Sequence, residues 1–222
     1  MRKLLPTLIV AAIGLGSITS ANALSITVNG AGVYNTTVSG ATTLNFNGET
    51  TATCGGYSSC SGDFAVVSGS VNNQYAAPAM PNQGDGLEFL AVPNADTSGE
   101  AIFNFGTTAN YFGMFWGSID DYNIIEFLLN DGSVARIDGA DLNADNPSPN
   151  VAVQGQQSTL NDNRYVEFFF GNDRIDSVKL ISDKRAFETD NHAFATVPEP
   201  GTLALLGLGL VGLGAARRRQ QA

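Results

Sequence analysis

Short apolar runs separated by turn-forming residues recur through the middle of this chain and leave little room for helices. Asn29-Gly30 follows the run Ser25–Val28, and Asn47-Gly48 follows Thr42–Phe46. Asn-Gly pairs favour the tight turns that join antiparallel strands. No run between residues 24 and 196 has a convincing helical period, and Gly, Asn, Thr, Ser, Val and Phe are abundant. The pattern therefore predicts strands and turns.

The densest strand signal begins at Tyr111. Phe112, Met114 and Trp116 alternate with Tyr111 and Phe115, so the two sets are predicted to point to opposite faces of a sheet. Asn130-Asp131-Gly132 later separates two strand-like runs and predicts a hairpin. About ten or eleven such runs fit one all-β domain over residues 24–196, a two-sheet antiparallel sandwich with jelly-roll-like connections.

The amino-terminal end has the three parts of a secretory signal peptide. Met1-Arg2-Lys3 is basic, Leu4–Ile18 is mostly apolar and uncharged, and Ala21-Asn22-Ala23 is a small-x-small cleavage site. We expect residues 1–23 to form a signal helix that is removed during export. The alternative is an uncleaved anchor, although the apolar run is shorter than the roughly 20 residues of a spanning helix.

The carboxyl-terminal end has a different order of parts. Val197, Pro198, Glu199 and Pro200 come first, Leu203–Ala216 is wholly apolar or glycine, and a basic cluster follows. The basic cluster consists of Arg217, Arg218 and Arg219. A helix over Leu203–Ala216 would be about 21 Å long, against a hydrocarbon core of roughly 30 Å. We expect a short transmembrane helix with the arginines on the cytoplasmic side.

This three-part tail, residues 197–222, resembles the sorting tail of PEP-CTERM proteins, in which the Val-Pro-Glu-Pro segment is the recognition motif. The resemblance implies processing by exosortase, a membrane-embedded transpeptidase, in a Gram-negative bacterium that makes exopolysaccharide. It also implies transient residence in the inner membrane, followed by the cell surface or the extracellular matrix. A plain C-terminal anchor is the alternative. Two shorter segments, Phe112–Asn123 and Phe187–Asn191, resemble phrases of one group of PEP-CTERM surface proteins and imply no chemistry.

Cys54 and Cys60 are the only cysteines, and Gly-Gly-Tyr-Ser-Ser lies between them. An even number of cysteines in an exported chain predicts a disulfide. A metal site would need more ligands, and neither a histidine nor a third cysteine is nearby. We expect a local staple on a glycine-rich loop.

The chain between its two ends is strongly acidic. Setting aside Arg2, Lys3, Arg217–Arg219 and Glu199 leaves 6 of 11 basic and 20 of 21 acidic residues, a formal net charge of −14. All the basic residues that remain lie at Arg136 or later. This charge disfavours nucleic acid as a partner and favours cations and neutral partners. It is also the charge of a generally solvated, secreted surface.

A loop after the predicted hairpin suggests calcium as the one possible cofactor. Its oxygen-bearing side chains, which could converge on one ion, are Asp138, Asp141, Asn143 and Asp145. Ca²⁺ takes about six to eight oxygens, and the spacing matches the first half of an EF-hand-type loop. The pattern then fails, because Asn146 replaces the glycine and Ala152 stands where a bidentate Glu is needed. The alternative is an acidic, proline-capped surface loop.

A second candidate site combines carboxylates and aromatic rings. Asp120 and Asp121 lie between Trp116 and Tyr122, so carboxylates could bind sugar hydroxyls while a ring stacks on the pyranose. The alternative places Trp116 in the core and the two aspartates in a turn.

Catalytic signatures are missing from the sequence. It has no Gly-x-Ser-x-Gly, phosphate-binding or zinc motif, and its only histidine, His192, lies just before the tail, a poor place for a rigid site. The many acids make a glycosidase-like carboxylate pair easy to find by chance. We therefore expect no enzyme, but a surface or matrix protein. The resemblance to PEP-CTERM proteins implies its association with exopolysaccharide or biofilm. A carbohydrate-binding module is the first alternative, and a secreted glycoside hydrolase is the second.

Overall fold

The computed structural model describes residues 24–80, 87–94, 96–144 and 153–198. The strands are β1 (Ser25–Val28), β2 (Thr42–Leu44), β3 (Ser59–Gly62), β4 (Ala65–Ser68), β5 (Glu88–Val92), β6 (Gly99–Ala109), β7 (Tyr111–Gly117), β8 (Asn123–Leu129), β9 (Val134–Asp138), β10 (Arg164–Phe169), β11 (Ile175–Ser182) and β12 (Phe187–Ala195). A 3-10 helix covers Thr51–Gly56, and the one-turn helix α1 covers Asp141–Ala144. Within these described ranges, no helix is long and apolar enough to cross a membrane. The predicted signal peptide, apolar tail helix and arginine cluster lie outside the described residues.

The strands form two antiparallel sheets that pack as a sandwich, which confirms the predicted architecture. Sheet A has the order β1-β10-β7-β12-β5-β4, and β2 also pairs with β12; sheet B has the order β3-β6-β11-β8-β9. The predicted hairpin joins β8 to β9. Most other neighbours are distant in sequence, so the chain crosses repeatedly from one sheet to the other, as jelly-roll-like connections require.

The core between the sheets is aromatic. The ring of Phe112 on β7 lies 5.5 Å from that of Phe127 on β8 and 5.8 Å from that of Phe105 on β6. Met114 and Trp116 share this face of β7 and are also buried in the core cluster. The alternation in the sequence therefore assigned the inner face of β7 correctly.

Sheet A is buried on its outer face as well. Tyr111 and Phe115 point away from sheet B, yet both are fully buried because loop 29–41 covers them, and loop 69–80 packs on the nearby strand β5. The Tyr111 hydroxyl lies 2.6 Å from the hydroxyl of Thr36, and the ring of Tyr34 packs on Phe115 at 5.5 Å. Tyr75 packs in the same way on Phe89 of β5. These loops create a second, more polar interior outside the sandwich.

The predicted disulfide is present between Cys54 and Cys60, whose Cα atoms lie 5.6 Å apart. It ties the 3-10 helix to β3, an edge strand in which Cys60 pairs with Phe103 of β6. The sequence analysis did not predict β3. Its residues are Ser, Cys, Ser and Gly, so it lacks the apolar alternation by which the other strands were recognised.

Candidate functional site

One end of the sandwich contains the polar side chains of the predicted sugar site. Here the chain leaves β7 in sheet A and reaches β8 in sheet B through the turn formed by residues 118–122. The Asp183 N–H donates to the Tyr122 carbonyl at 3.3 Å, so the β11–β12 turn lies beside it. The Ile119 N–H donates to the Asp162 carbonyl at 2.7 Å, which brings in the segment before β10.

Trp116 lies just inside this end and is 0% exposed. Its ring centroid is 4.7 Å from that of Phe187 on the neighbouring strand β12. The ring has no face open to a ligand, because Trp116 belongs to the inward-pointing set of β7. The core interpretation therefore describes Trp116 in this structure, and only its neighbours in the turn remain available for binding.

The other residues of the predicted sugar site form the turn itself. Asp120 is 9% exposed and accepts a hydrogen bond from the Tyr122 hydroxyl, whereas Asp121 is exposed. Burial raises the pKa of Asp120, and it raises the pKa of the Tyr122 phenol as well. The Lys184 ammonium lies 4.7 Å from the Tyr122 ring centroid, a cation–π distance. The structure thus brings Asp120 and Tyr122 together and leaves Asp121 in solvent.

A cleft of about 860 Å³ lies between loop 70–75 and the β11–β12 turn, residues 183–186. Its walls carry amide, hydroxyl and charged groups, among them Asn72, Tyr75, Gln157 and Lys184. Arg185 holds the two walls together, since its guanidinium donates to the Asn73 carbonyl at 3.0 Å and to the Asp96 carbonyl at 2.8 Å. The volume falls in the range of small-molecule and saccharide sites.

Two acids of β12 are buried on the covered, outer face of sheet A. Glu188 lines the cleft, is 3% exposed and accepts the Ala76 N–H at 2.8 Å; Asp190 accepts the Asn191 N–H at 2.6 Å. Burial raises the pKa of each carboxyl to about 8, so both are largely protonated at neutral pH. The sequence analysis overlooked them, because outward-pointing acids on a strand ordinarily meet solvent.

His192 is fixed in the core, contrary to the expectation that its position before the tail would be loose. Nδ1 lies 2.5 Å from the Tyr57 hydroxyl, and Nε2 lies 2.8 Å from the Thr189 hydroxyl. The Phe46 ring packs edge-on against the imidazole at 4.9 Å. Burial lowers the pKa of His192 to about 3, so the ring is neutral. The tail begins only after the end of β12, so His192 lies within a paired strand of the sheet.

The predicted calcium loop begins at Asp138, the last residue of β9, and includes α1. Asp138 Oδ1 accepts the N–H groups of Ala140 and Asp141 at 2.8 and 3.0 Å, and Asp141 Oδ2 accepts the Asp138 N–H at 2.9 Å. Asp145 and the side chain of Asn143 lie outside the described residues. Over the described parts of the chain, no three His, Cys, Asp or Glu side chains form a metal-binding group. Calcium at this loop stays a prediction.

The beginning of the tail is attached directly to the sandwich. Asn110, in the tight turn between β6 and β7, accepts the Val197 N–H at 2.6 Å and donates to the Val197 carbonyl at 2.9 Å. Its amide also donates to the Gly171 carbonyl at 2.6 Å. Both backbone groups of the first motif residue are thereby held, while Pro198 is exposed. Glu199, Pro200 and the arginine cluster lie outside the described residues.

Residues 196–219 match the family model of the PEP-CTERM protein-sorting motif. The chain carries a PEP-CTERM sorting motif. The PEP-CTERM motif marks the chain as an exosortase-targeted protein that is exported to the cell surface or secreted. Comparison of the chain with curated proteins gives no match. The motif therefore indicates how the protein is delivered. The role of the β-sandwich after delivery has to be inferred from its own geometry.

Proposed function

We propose that the chain is a non-catalytic β-sandwich of a Gram-negative bacterium, delivered by exosortase through the inner membrane and associated with exopolysaccharide or biofilm. The observation that carries the proposal is the PEP-CTERM motif, which follows β12 without an intervening linker. A disulfide and a net charge of −14 over residues 24–196 suit an exported protein in a hydrated polymer layer.

The position of His192 favours a non-catalytic role. As the only histidine, it is the natural general base for nucleophilic catalysis, yet it is sealed between the sheets with both nitrogens hydrogen-bonded. Glu188 is a buried acid that lines the cleft. Its pKa of about 8 would suit a general acid, so the hydrolase alternative is tested together with saccharide binding below.

Mass spectrometry of the processed protein tests the delivery. We expect an amino terminus at Leu24 and a carboxyl terminus that lacks Leu203–Ala216. The new carboxyl end should lie at or after Val197, because a residue whose N–H and C=O are both bound by Asn110 cannot enter an active site while the sandwich is folded. In a strain without exosortase, or with alanine at Pro198, Glu199 and Pro200, the full tail should remain and the protein should stay with the membrane fraction.

The matched control replaces Gln220 and Gln221, which lie in the same tail but outside the sorting motif. This variant should be processed like the unchanged chain. A surface-located protein that retains Ala222 in the presence of exosortase would contradict the proposal. A carboxyl end before Val197 would contradict the role assigned to Asn110 and leave delivery by exosortase intact.

Saccharide binding is the second candidate function, and the cleft favours it. The exposed amides of Asn72 and Gln157 line the cleft together with Tyr75 and Lys184. Such groups bind hydroxyls, and the cleft replaces Trp116 as the place where a sugar would be recognised.

A polysaccharide pull-down tests this second function. The double variant Asn72→Ala/Gln157→Ala should bind a retained neutral polysaccharide, such as dextran, about tenfold more weakly, since it loses hydrogen bonds worth roughly 0.5–1.5 kcal/mol each. The control Asn35→Ala/Gln154→Ala removes exposed amides outside the cleft and should bind normally. Equal binding by both variants, or none by the unchanged chain, would exclude the cleft, and release of reducing ends would point instead to the hydrolase.

A further inference from the structure

Two buried oxygen atoms, one on Ser118 and one on Asp162, lie just beyond the end of the β7–β10 pair. The pairing ends with Trp116 opposite Arg164, and the chains continue together. The Ser118 N–H donates to Asn163 Oδ1 at 3.1 Å, and the Ile119 N–H donates to the Asp162 carbonyl at 2.7 Å. Ser118 therefore lies beside Asp162.

Each of the two side chains carries one buried oxygen atom that no described residue hydrogen-bonds. Asp162 is 0% exposed, and within the described part of the chain its Oδ1 atom has no hydrogen-bond partner. The Ser118 hydroxyl is likewise buried and has no partner in those ranges. A buried oxygen without a partner destabilises the fold, and it does so more strongly when it is charged. Because neither oxygen is bonded to the other, both could bind a ligand held between them.

Asp120 lies near Asp162, because both residues contact the segment Gly155–Gln156. The Gln156 N–H donates to Asp162 Oδ2 at 2.9 Å. A Cβ atom added to Gly155 would stand 2.2 Å from Asp120 Oδ1, so that carboxylate lies directly against the glycine. Gly155 also has φ +63°, a conformation that side chains rarely adopt. The Asp120 and Asp162 carboxylates thus both lie against the segment Gly155–Gln156.

The charges around these carboxylates leave a negative site. Asp121 and Asp162 are the negative charges near Asp120, while Lys184 is the nearby cation that favours its ionised form. Arg164 lies near Asp162, but in the described residues it makes no ion pair; its guanidinium donates to Asn161 and to the Asn29 carbonyl. A water molecule could satisfy one orphan oxygen, yet it would not offset the repulsion between two carboxylates.

We propose that Asp120, Asp162 and the Ser118 hydroxyl bind a hard divalent cation, Ca²⁺, at this end of the sandwich. Carboxylate and hydroxyl oxygens suit this ion, and peptide carbonyls and water would complete its shell. The site differs from the loop at Asp138–Asp145. An ion here would join the β7–β8 turn to the segment before β10. It would thereby hold these two segments in place beside the cleft.

Thermal unfolding of the purified, processed protein in EGTA and in Ca²⁺ tests the proposal. With the submillimolar to millimolar affinity of extracellular calcium sites, roughly 10 mM Ca²⁺ should raise Tm by about 3–10 °C. Asp120→Asn and Asp162→Asn should each abolish the shift. Tb³⁺ bound at the site should luminesce on excitation of Tyr122, which donates to Asp120, and Asp120→Asn should lose this signal while its amide oxygen still accepts from Tyr122.

Two neighbouring carboxylates provide the controls. Asp121→Asn changes the exposed aspartate of the same turn, and Asp141→Asn changes the loop site; both should keep the Tm shift and the Tb³⁺ signal. Loss of the shift in Asp141→Asn alone would assign calcium to the loop and overturn the proposal. Absence of any Ca²⁺-dependent shift or Tb³⁺ signal in the unchanged protein would also overturn it. The readout is the difference between EGTA and Ca²⁺, so a lower starting Tm in Asp162→Asn does not obscure the result.

Discussion

Replacing Trp116 with alanine is expected to lower the free energy of unfolding by about 3–5 kcal/mol, the cost of emptying the space of a large aromatic side chain in a core. The ring is wholly buried and packs on Phe187 between the sheets. Chemical denaturation followed by far-ultraviolet circular dichroism measures the loss without relying on the only tryptophan. Any loss of saccharide binding in this variant would report unfolding rather than a lost contact.

Trp116→Phe is the matched control. Trp116 Nε1 is buried and has no hydrogen-bond partner in the described residues, so phenylalanine keeps an aromatic ring and removes an unsatisfied donor. We expect its free energy of unfolding to lie within about 1.5 kcal/mol of the unchanged chain, as for other hydrophobic exchanges of similar shape. A Trp116→Ala variant as stable as Trp116→Phe would show that the ring does not fill the core.

Stability should fall as the pH rises from about 4.5 to 8, and Glu188→Gln should remove much of this fall. The pKa of Glu188 is raised to about 8 in the folded chain by burial, with the Asp120 charge adding to it, against an ordinary value of 4.5. The folded state therefore binds the proton more tightly, and this stabilisation is complete below pH 4.5 and is lost as the pH rises through 8. The effect is on the order of a few kcal/mol, and Gln keeps an oxygen for the Ala76 N–H.

Denaturation curves collected across this pH range measure the effect. Asp190→Asn should act in the same direction, because the pKa of Asp190 is also raised to about 8 by burial. The control Asp183→Asn neutralises an exposed carboxylate of the same cleft and should leave the profile unchanged. Identical profiles for Glu188→Gln and the unchanged chain would show that Glu188 is not held protonated in the fold.

His192 adds the opposite slope on the acid side. Burial lowers its pKa to about 3, so only the unfolded state binds the proton between pH 6.5 and 3, and stability is lost on acidification through that window. Together with the two acids of β12, this histidine should place the maximum of stability in the mildly acidic range where the opposing slopes meet.

The strand pattern was readable because most strands have an inner face that packs on the opposite sheet. Phe112, Met114 and Trp116 recur with the period of two that a half-buried strand requires. Edge strand β3 was not predicted, because its serine and glycine residues do not show this apolar alternation. The sequence predicted part of the candidate sugar site correctly, because Asp120 and Tyr122 do meet at the turn. It could not place Trp116, because a single tryptophan beside acidic residues is as typical of a core as of a binding face.

The sequence by itself determined delivery and architecture: a linear sorting motif, a nearby cysteine pair and alternating apolar residues act through local order along the chain. Only the tertiary structure decided the environment of Glu188, Asp190 and His192, the attachment of Val197 to Asn110, and the meeting of Asp120 with Asp162. Each of these depends on segments far apart in sequence that cover or contact one another. Burial sets the pKa of a carboxyl, and burial by a distant loop leaves no local pattern in the strand that carries the carboxyl.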